Sequence, residues 1–213
     1  MTQNNDILYL DPGHAFGIGS RESSFIKNNF QLVDQYELEA IDLHEYKCLV
    51  VHDFIDQEFM FKQREKVRSF LDAGKIVIFT GHLFKEWLPG CPLFTPKEIH
   101  QFTDYEISIA APHTIFSGVI SEEMTFNKGV AGFFARGTHS PVPAGAEVLL
   151  TLPGAMPVTY IDRQTTKGTI FVHAGRDLFV NRMQGKSTDR ISVQLLQWVH
   201  EEYRNLQGAG EKI

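Results

Sequence analysis

Five of the nine histidines follow a segment predicted to be a buried β-strand, or lie at its end. They are His14, His52, His82, His139 and His173. In an open parallel sheet the carboxyl ends of the strands face the same edge, so loops that are distant in sequence meet there in one crevice. Imidazole titrates near neutral pH and also binds metals. The pattern therefore predicts a functional site at this edge of the sheet.

Two kinds of chemistry are compatible with these histidines. In the first, His82, His173 and Asp177 are the catalytic groups of a hydrolase or lyase and act as general acid and base. In another form of this reading, a metal is bound by His14, His52, His82 and His173 with Asp11, Asp53 or Asp177. No histidine pair has the i, i+4 spacing of a helical zinc motif. We therefore predict no metal cofactor and keep a divalent metal as an alternative.

In the second kind, the same edge binds a small polar or anionic ligand. Arg136 and Arg176 lie in glycine-containing loops, where a guanidinium can hold a carboxylate or phosphate with two hydrogen bonds. His14, His52 and Asp53 are the further predicted ligand-binding residues. A pairing of Arg176 with the adjacent Asp177 as a purely structural clamp is an equal alternative.

Composition limits the partners. The chain has 213 residues, 43% of them hydrophobic, which suits one α/β domain over residues 1–213 with a frayed tail at 207–213. A net charge of -6 provides no basic surface for nucleic acid. No signal peptide or apolar run of about 20 residues is present, so we expect a cytoplasmic protein without membrane contact. The 17 phenylalanines make a homo-oligomer a reasonable expectation.

The predicted elements alternate between strand and helix. Apolar runs at 7–10, 46–51 and 75–80 predict strands, and a helix that begins after Asp56 and ends at Gly74 joins the last two. Further strands are predicted within 30–36 and at 105–110. Three closely spaced strands at 147–152, 158–162 and 168–173 favour antiparallel pairing. A helix capped by Ser187 or Thr188 closes the chain, while the Gly- and Pro-rich segments 88–96 and 129–145 are predicted loops.

The segment from Glu45 to Val51, then 64–74, then Lys75 to His82, resembles the centre of class I glutamine amidotransferase-like domains. The stretch from His113 to Val119 is similar to a segment of non-amidotransferase branches, such as trehalose-utilisation-type proteins and β-galactosidase trimerisation domains. The resemblance extends over about Ile7 to Tyr203. It implies a flavodoxin-like α/β fold, with a mostly parallel sheet, helices on both faces and antiparallel strands toward the C-terminal side.

The chain departs from that family where glutamine is hydrolysed. The family's catalytic cysteine would follow the strand at 75–80, but this turn is Thr80-Gly81-His82-Leu83. The family's His-x-Glu motif would fall on His173-Ala174-Gly175, which has the histidine and not the carboxylate. Cys91 lies nine residues beyond His82 and would need a different geometry. We therefore expect no Cys/His/Glu glutaminase.

The sequence thus favours an amidotransferase-like protein that binds a small polar or anionic ligand at the carboxyl edge of its sheet. A hydrolase or lyase that uses the histidines is the first alternative. A protein-interaction module with a vestigial site is the second, since no motif is complete. An enzyme predicts His and Asp groups within hydrogen-bond reach, a binding protein predicts Arg136 and Arg176 on one pocket, and a module predicts a large exposed apolar patch.

Overall fold

The fold is described from a computed structural model, for residues 6–127, 129–180 and 185–210. The strands are β1 (Ile7–Asp11), β2 (Gln31–Asp34), β3 (Cys48–Val51), β4 (Ile76–Thr80), β5 (Phe94–Pro96), β6 (Ser108–Ile109), β7 (Phe126–Asn127), β8 (Val130–Ala131), β9 (Gly137–His139), β10 (Glu147–Leu152), β11 (Met156–Asp162) and β12 (Thr169–His173). The α-helices are α1 (Ile18–Glu22), α2 (Ser24–Asn29), α3 (Gln57–Lys62), α4 (Arg64–Asp72), α5 (Ser121–Thr125) and α6 (Arg190–Gly210). Within these residues no helix is both long and apolar enough to cross a membrane.

One eight-stranded sheet organises the chain, with the order β2-β1-β3-β4-β12-β11-β10-β6. The first five strands run parallel, and β11, β10 and β6 continue the sheet antiparallel. The predicted α/β class, with antiparallel strands on the C-terminal side, is confirmed. The short connections between β10, β11 and β12 favour this pairing, because antiparallel neighbours can be joined by tight turns whereas parallel ones need a crossover.

Both faces of the parallel strands are buried. In β1, Ile7 and Tyr9 point into one apolar cluster, whereas Leu8 and Leu10 point into the other. Helix α6 covers the first cluster and α4 covers the second. Unbroken apolar runs are the expected sequence of strands that are covered on both sides.

The predicted helix at 57–74 forms as two helices that meet at Gln63. Asp56 caps its start by accepting hydrogen bonds from the backbone of Glu58 and Phe59, and Gly74 ends it with a φ of 73°. At the break, the Arg64 guanidinium donates to the Phe61 carbonyl at 2.7 Å. The boundaries were predictable from the capping residues, whereas the break at Gln63 was not predicted.

Three predictions need correction. The predicted loops at 88–96 and 129–145 contain β5, β8 and β9, and β5 pairs with β9. Strands of two or three residues are too short to show an alternating pattern. The strand predicted at 105–110 is reduced to β6, since residues 102–105 form a 3-10 turn. The tail predicted to fray from residue 207 is helical to Gly210, and residues 211–213 lie outside the described residues.

Candidate functional site

Two adjoining cavities open at the carboxyl edge of the parallel strands. The first, here called the His52 cavity, has a volume of about 180 Å³ and is lined by His52, Ser20 and Asp177 among others. The second, the His82 cavity, has a volume of about 450 Å³ and is lined by His82 and Arg136 among others. Asp53, Phe54 and Arg176 line both cavities. The edge at which a crevice was predicted therefore has two adjoining cavities that share lining residues.

A buried tyrosine–aspartate pair lies at the His52 cavity. The hydroxyl of Tyr9, on β1, donates to Asp177, and Asp177 also accepts from the backbone N–H of Phe179 at 2.8 Å. Burial, reinforced by Asp177, raises the pKa of Tyr9 well above its ordinary value. Burial also raises the pKa of Asp177 above its usual value. His52 and the hydrogen bonds from Tyr9 and Phe179 lower this pKa, but burial has the larger effect. The pair therefore holds its protons more tightly than exposed groups would.

Sequence reasoning did not identify Tyr9 as a site residue. One signal was available: Tyr9 is the single polar side chain among the apolar residues of Ile7 to Leu10. A buried tyrosine hydroxyl usually has a hydrogen-bond partner. The partner lies 168 positions away in sequence, so only the fold could identify it as Asp177.

His52 directly follows β3 and is 3% exposed. Its Nδ1 lies 3.3 Å from Asp53 Oδ1, whereas its Nε2 has no hydrogen-bond partner among the described residues. Burial lowers the pKa of His52, but Asp53, Asp177 and Asp11 together raise the pKa above its usual value. A histidine beside a carboxylate and with one free nitrogen can take up or release a proton.

The His82 cavity is built around a sharp turn after β4. Gly81 has a φ of 132°, and a Cβ at this position would lie 2.9 Å from the Cα of Asp53. Only glycine therefore lets the turn approach Asp53 this closely. The next residue, His82, stacks on Phe94 with 3.7 Å between ring centroids. Burial is the main cause that lowers the pKa of His82, so this ring favours its neutral form.

Two exposed guanidinium groups face the His82 cavity. Arg136 donates through Nε to the Gly132 carbonyl at 2.6 Å, and Arg176 lies 5.8 Å from the Phe133 ring centroid. Neither arginine forms an ion pair within the described part of the chain. Asp177 pairs with Tyr9 instead of forming a clamp with Arg176. Both cationic ends are therefore available to a ligand.

Two of the other strand-end histidines, His14 and His139, contact the backbone. His14 accepts from the Phe16 backbone at 3.2 Å and contacts the Phe54 carbonyl through Nε2 at 2.9 Å. His139 lies between the Gly81 and Pro92 carbonyls at 3.0 and 2.9 Å. Neither of these two rings lines the His52 cavity or the His82 cavity.

His173 is fully buried and lines neither cavity. Its Nδ1 lies 2.7 Å from the hydroxyl of Thr159, and Phe134 packs edge-on against its ring at 4.9 Å. Burial lowers the pKa of His173 to about 3, which keeps the ring neutral. Thus the structure brings His52, Asp53, Asp177 and Arg176 together, adds His82 and Arg136 in the second cavity, and separates His173 from the other predicted catalytic groups.

Two other kinds of chemistry, at a metal ion and at a thiol, were considered for this edge from the sequence. Within residues 6–127, 129–180 and 185–210, no three His, Cys, Asp or Glu side chains are arranged to hold a metal ion. Cys91 lines neither cavity, and burial raises the pKa of its thiol to about 12. A thiol with so high a pKa is a poor nucleophile at neutral pH.

No protein-family model matches the chain, and no curated protein sequence matches it significantly. Solved structures do match. One is a protein from Thermoplasma acidophilum proposed to be a GMP synthase subunit, with 12% identity, a TM-score of 0.60 and coverage of 95% of this chain and 97% of that one. Another is a cytoplasmic protein from Salmonella typhimurium LT2, with 10% identity, a TM-score of 0.54 and coverage of 92% and 98%. At these identities the matches show the fold alone, and they agree with a mostly parallel α/β sheet covered by helices.

Proposed function

We propose that this protein binds a small molecule bearing a carboxylate or phosphate group in the His82 cavity, where Arg136 and Arg176 hold the anionic group. The observation that carries the proposal is that both guanidinium groups line one cavity and have no carboxylate partner among the described residues. A guanidinium can present two parallel N–H donors, which matches the geometry of a carboxylate or phosphate.

The cavity wall further limits the ligand. Phe84 and Phe133 supply apolar surface, while Asp53 and the Gln57 side chain lie on the same wall. Asp53 repels an anion placed against it and favours a hydroxyl or other donor there. A volume of about 450 Å³ suits a small metabolite. The ligand class is therefore a compact molecule with an anionic end and a polar, hydrogen-bonding remainder.

The sequence supports a function other than glutamine hydrolysis. The turn after β4 carries His82 where the family has its cysteine, and Gly175 stands where its glutamate would be. The cavity remains in the fold without those two groups. Ligand binding is consistent with an edge that carries different side chains.

The proposal is tested by measuring ligand binding with thermal-shift assays and calorimetry. The probes are inorganic phosphate, pyruvate, 2-oxoglutarate and dihydroxyacetone phosphate, each at constant ionic strength. We expect at least one probe to raise the melting temperature, because a ligand that binds only the folded state stabilises it. In Arg136→Gln and Arg176→Gln, its dissociation constant should increase about 10-fold or more, the usual scale for loss of a charge-assisted hydrogen bond.

Arg204→Gln is the matched control, since it removes the same charge from an exposed position on α6. The dissociation constant of the probe should be the same for this variant as for the wild type. Equal weakening in all three variants would show nonspecific attraction, and a panel in which no probe binds would overturn the proposed function.

A further inference from the structure

We propose that the ligand of the His82 cavity carries a planar aromatic ring, which stacks on the exposed rings of Phe54 and Phe84. The inference rests on the proposed function and deepens it, because it names the class of ligand: a small aromatic carboxylate or phosphate. Both phenylalanines line the same cavity as Arg136 and Arg176. A ring and its anionic group therefore find their partners within a single compartment.

The rings of Phe54 and Phe84 gain little from burial. Their exposed fractions are 53% and 67%, whereas Leu83, beside Phe84, is fully buried. Aromatic side chains stabilise a fold mainly through the apolar surface that they remove from water. A third ring, Phe133, is half-buried and lines the same cavity. An apolar wall that is open to solvent at a cavity is a common feature of ligand sites.

The backbone of Phe54 adopts a conformation that phenylalanine rarely has. Its φ is 69°, in the left-handed region, which costs free energy for a residue with a Cβ. Packing of the ring in the core does not offset this cost, because the ring is largely exposed. Such conformations concentrate at functional sites, where the chain places a side chain against a ligand.

His14 links the backbones of Phe16 and Phe54. The Phe16 N–H donates to His14 Nδ1 at 3.2 Å, so in the neutral imidazole the proton is on Nε2, which donates to the Phe54 carbonyl at 2.9 Å. The two phenylalanine rings stack with 4.7 Å between their centroids. Phe54 lines both cavities, whereas Phe16 lines only the His52 cavity. The stack therefore supports Phe54 and leaves its surface in the His82 cavity open to a ligand.

The side chain of Gln57 holds the loop that carries Phe84. Its Oε1 accepts from the backbone N–H groups of Phe84 at 2.7 Å and Lys85 at 3.1 Å, and its Nε2 donates to the His82 carbonyl at 2.6 Å. A ring on a fixed loop loses less conformational freedom when a ligand binds than a ring on a loose loop. Both exposed rings are thus preorganised for stacking.

A planar ring also fits the rest of the wall. Asp53 lines this cavity and can accept a hydrogen bond from a hydroxyl or amino group on the edge of the ring. A volume of about 450 Å³ can hold one aromatic ring together with a carboxylate or phosphate. The hydrogen-bonding remainder of the ligand is therefore assigned to the ring edge, and stacking to the ring face.

Two pairs of probes separate an aromatic ring from an apolar ring with the same number of carbons. The pairs are phenyl phosphate with cyclohexyl phosphate, and phenylacetate with cyclohexylacetate. Calorimetry at constant ionic strength gives the dissociation constants. In at least one pair we expect the aromatic probe to bind about 3-fold or more tightly, because stacked aromatic rings attract each other beyond the effect of their buried area. Equal binding within both pairs overturns the inference.

Substitutions then locate the preference. Phe54→Leu and Phe84→Leu keep an apolar side chain and remove the ring, so each should lower the preference for the aromatic probe, and the double variant should abolish it. Phe84→Tyr should retain it. Phe102→Leu is the matched control, since Phe102 is 62% exposed and lines neither cavity, and it should keep the wild-type preference. His14→Ala should lower the preference as well, although His14 lines neither cavity.

The outcomes separate this inference from the proposed function. Probes that depend on Arg136 and Arg176 but bind equally within each pair overturn the inference and leave the binding function. A preference that persists in the double variant of Phe54 and Phe84 also overturns it. If sedimentation shows that these substitutions convert a dimer into a monomer and the preference is unchanged, the rings form a contact between two copies, which overturns it too. If no anionic probe binds, the proposed function fails, and the inference fails with it.

Discussion

His52 and His173 occupy comparable places in the fold, and the structure gives them opposite properties. His52 follows β3, His173 ends β12, and β4 lies between these two parallel strands. Both rings are buried. His52 is close to the carboxylates Asp53 and Asp177, whereas His173 contacts a hydroxyl and an aromatic ring.

The difference shows that a strand-end position brings a histidine to the site edge but does not determine its chemistry. Burial alone lowers the pKa of an imidazole, because the charged form loses hydration. At His173 burial prevails and the pKa falls to about 3. At His52 the surrounding carboxylates outweigh burial and raise the pKa. The neighbours therefore make one ring a neutral structural group and favour the protonated form of the other.

The largest expected effect is acid destabilisation through His173. From pH 6.5 down to about 3 the unfolded chain binds a proton at this residue and the folded protein does not, so stability falls as pH is lowered. At about 1.4 kcal/mol per pKa unit, the loss is on the order of 4–5 kcal/mol. In His173→Gln, the free energy of unfolding measured with urea should depend less steeply on pH over this window. A constant difference between wild type and variant would contradict the comparison, and His44→Gln is the control.

A second prediction concerns the Tyr9–Asp177 pair beside His52. Asp177→Ala leaves the Tyr9 hydroxyl and the Phe179 N–H without their buried acceptor, and should lower the free energy of unfolding by about 3 kcal/mol. Asp72→Ala is the matched control. Asp72 is exposed and forms only a 3.8 Å pair with Arg68, so its loss should cost less than about 0.5 kcal/mol. An equal decrease in the free energy of unfolding in the two variants would show that the buried Tyr9–Asp177 pair stabilises the protein no more than the exposed Asp72 does.

A third prediction has the opposite pH sign to the first. The pKa of His52 is higher in the folded protein than its ordinary value of 6.5. Its stabilising contribution is therefore complete below pH 6.5 and is lost as pH rises through the folded pKa. Proton–nitrogen NMR titration should show this higher midpoint in the wild type and a lower one in Asp53→Asn. A midpoint for His52 below 6.5 in the wild type would remove the contrast with His173.

The smallest expected effect is at Cys91. Because burial raises the pKa of this thiol to about 12, it should react slowly with a thiol reagent at pH 8 until the protein is unfolded. Cys91→Ser should leave probe binding unchanged. Glutamine-dependent release of ammonia that disappeared in this variant would contradict the expectation that the chain is not a glutaminase.

Much of the fold could be predicted from local patterns. The apolar runs of β1, β3, β4 and β12 and the caps at Asp56 and Gly74 are encoded within a few neighbouring residues. The pairing of β5 with β9 could not be predicted, because these strands have three residues each and lie some 40 positions apart in sequence.

The location of the candidate site could be predicted from the sequence, whereas not all of its residues could. Strand-end loops brought His52, His82, Arg136 and Arg176 to two adjoining cavities, as the parallel-sheet argument expects. Tyr9 was missed because its role depends on a partner from the other end of the chain.

The sequence by itself determined most of the strand and helix pattern and the edge where the polar residues gather, since both depend on short-range spacing. Tertiary structure decided which histidine faces carboxylates and which faces a hydroxyl. It also decided which arginines remain unpaired. These properties arise from burial and from contacts between residues far apart in the chain, and electrostatic interactions depend on spatial distance and hydration rather than on sequence separation.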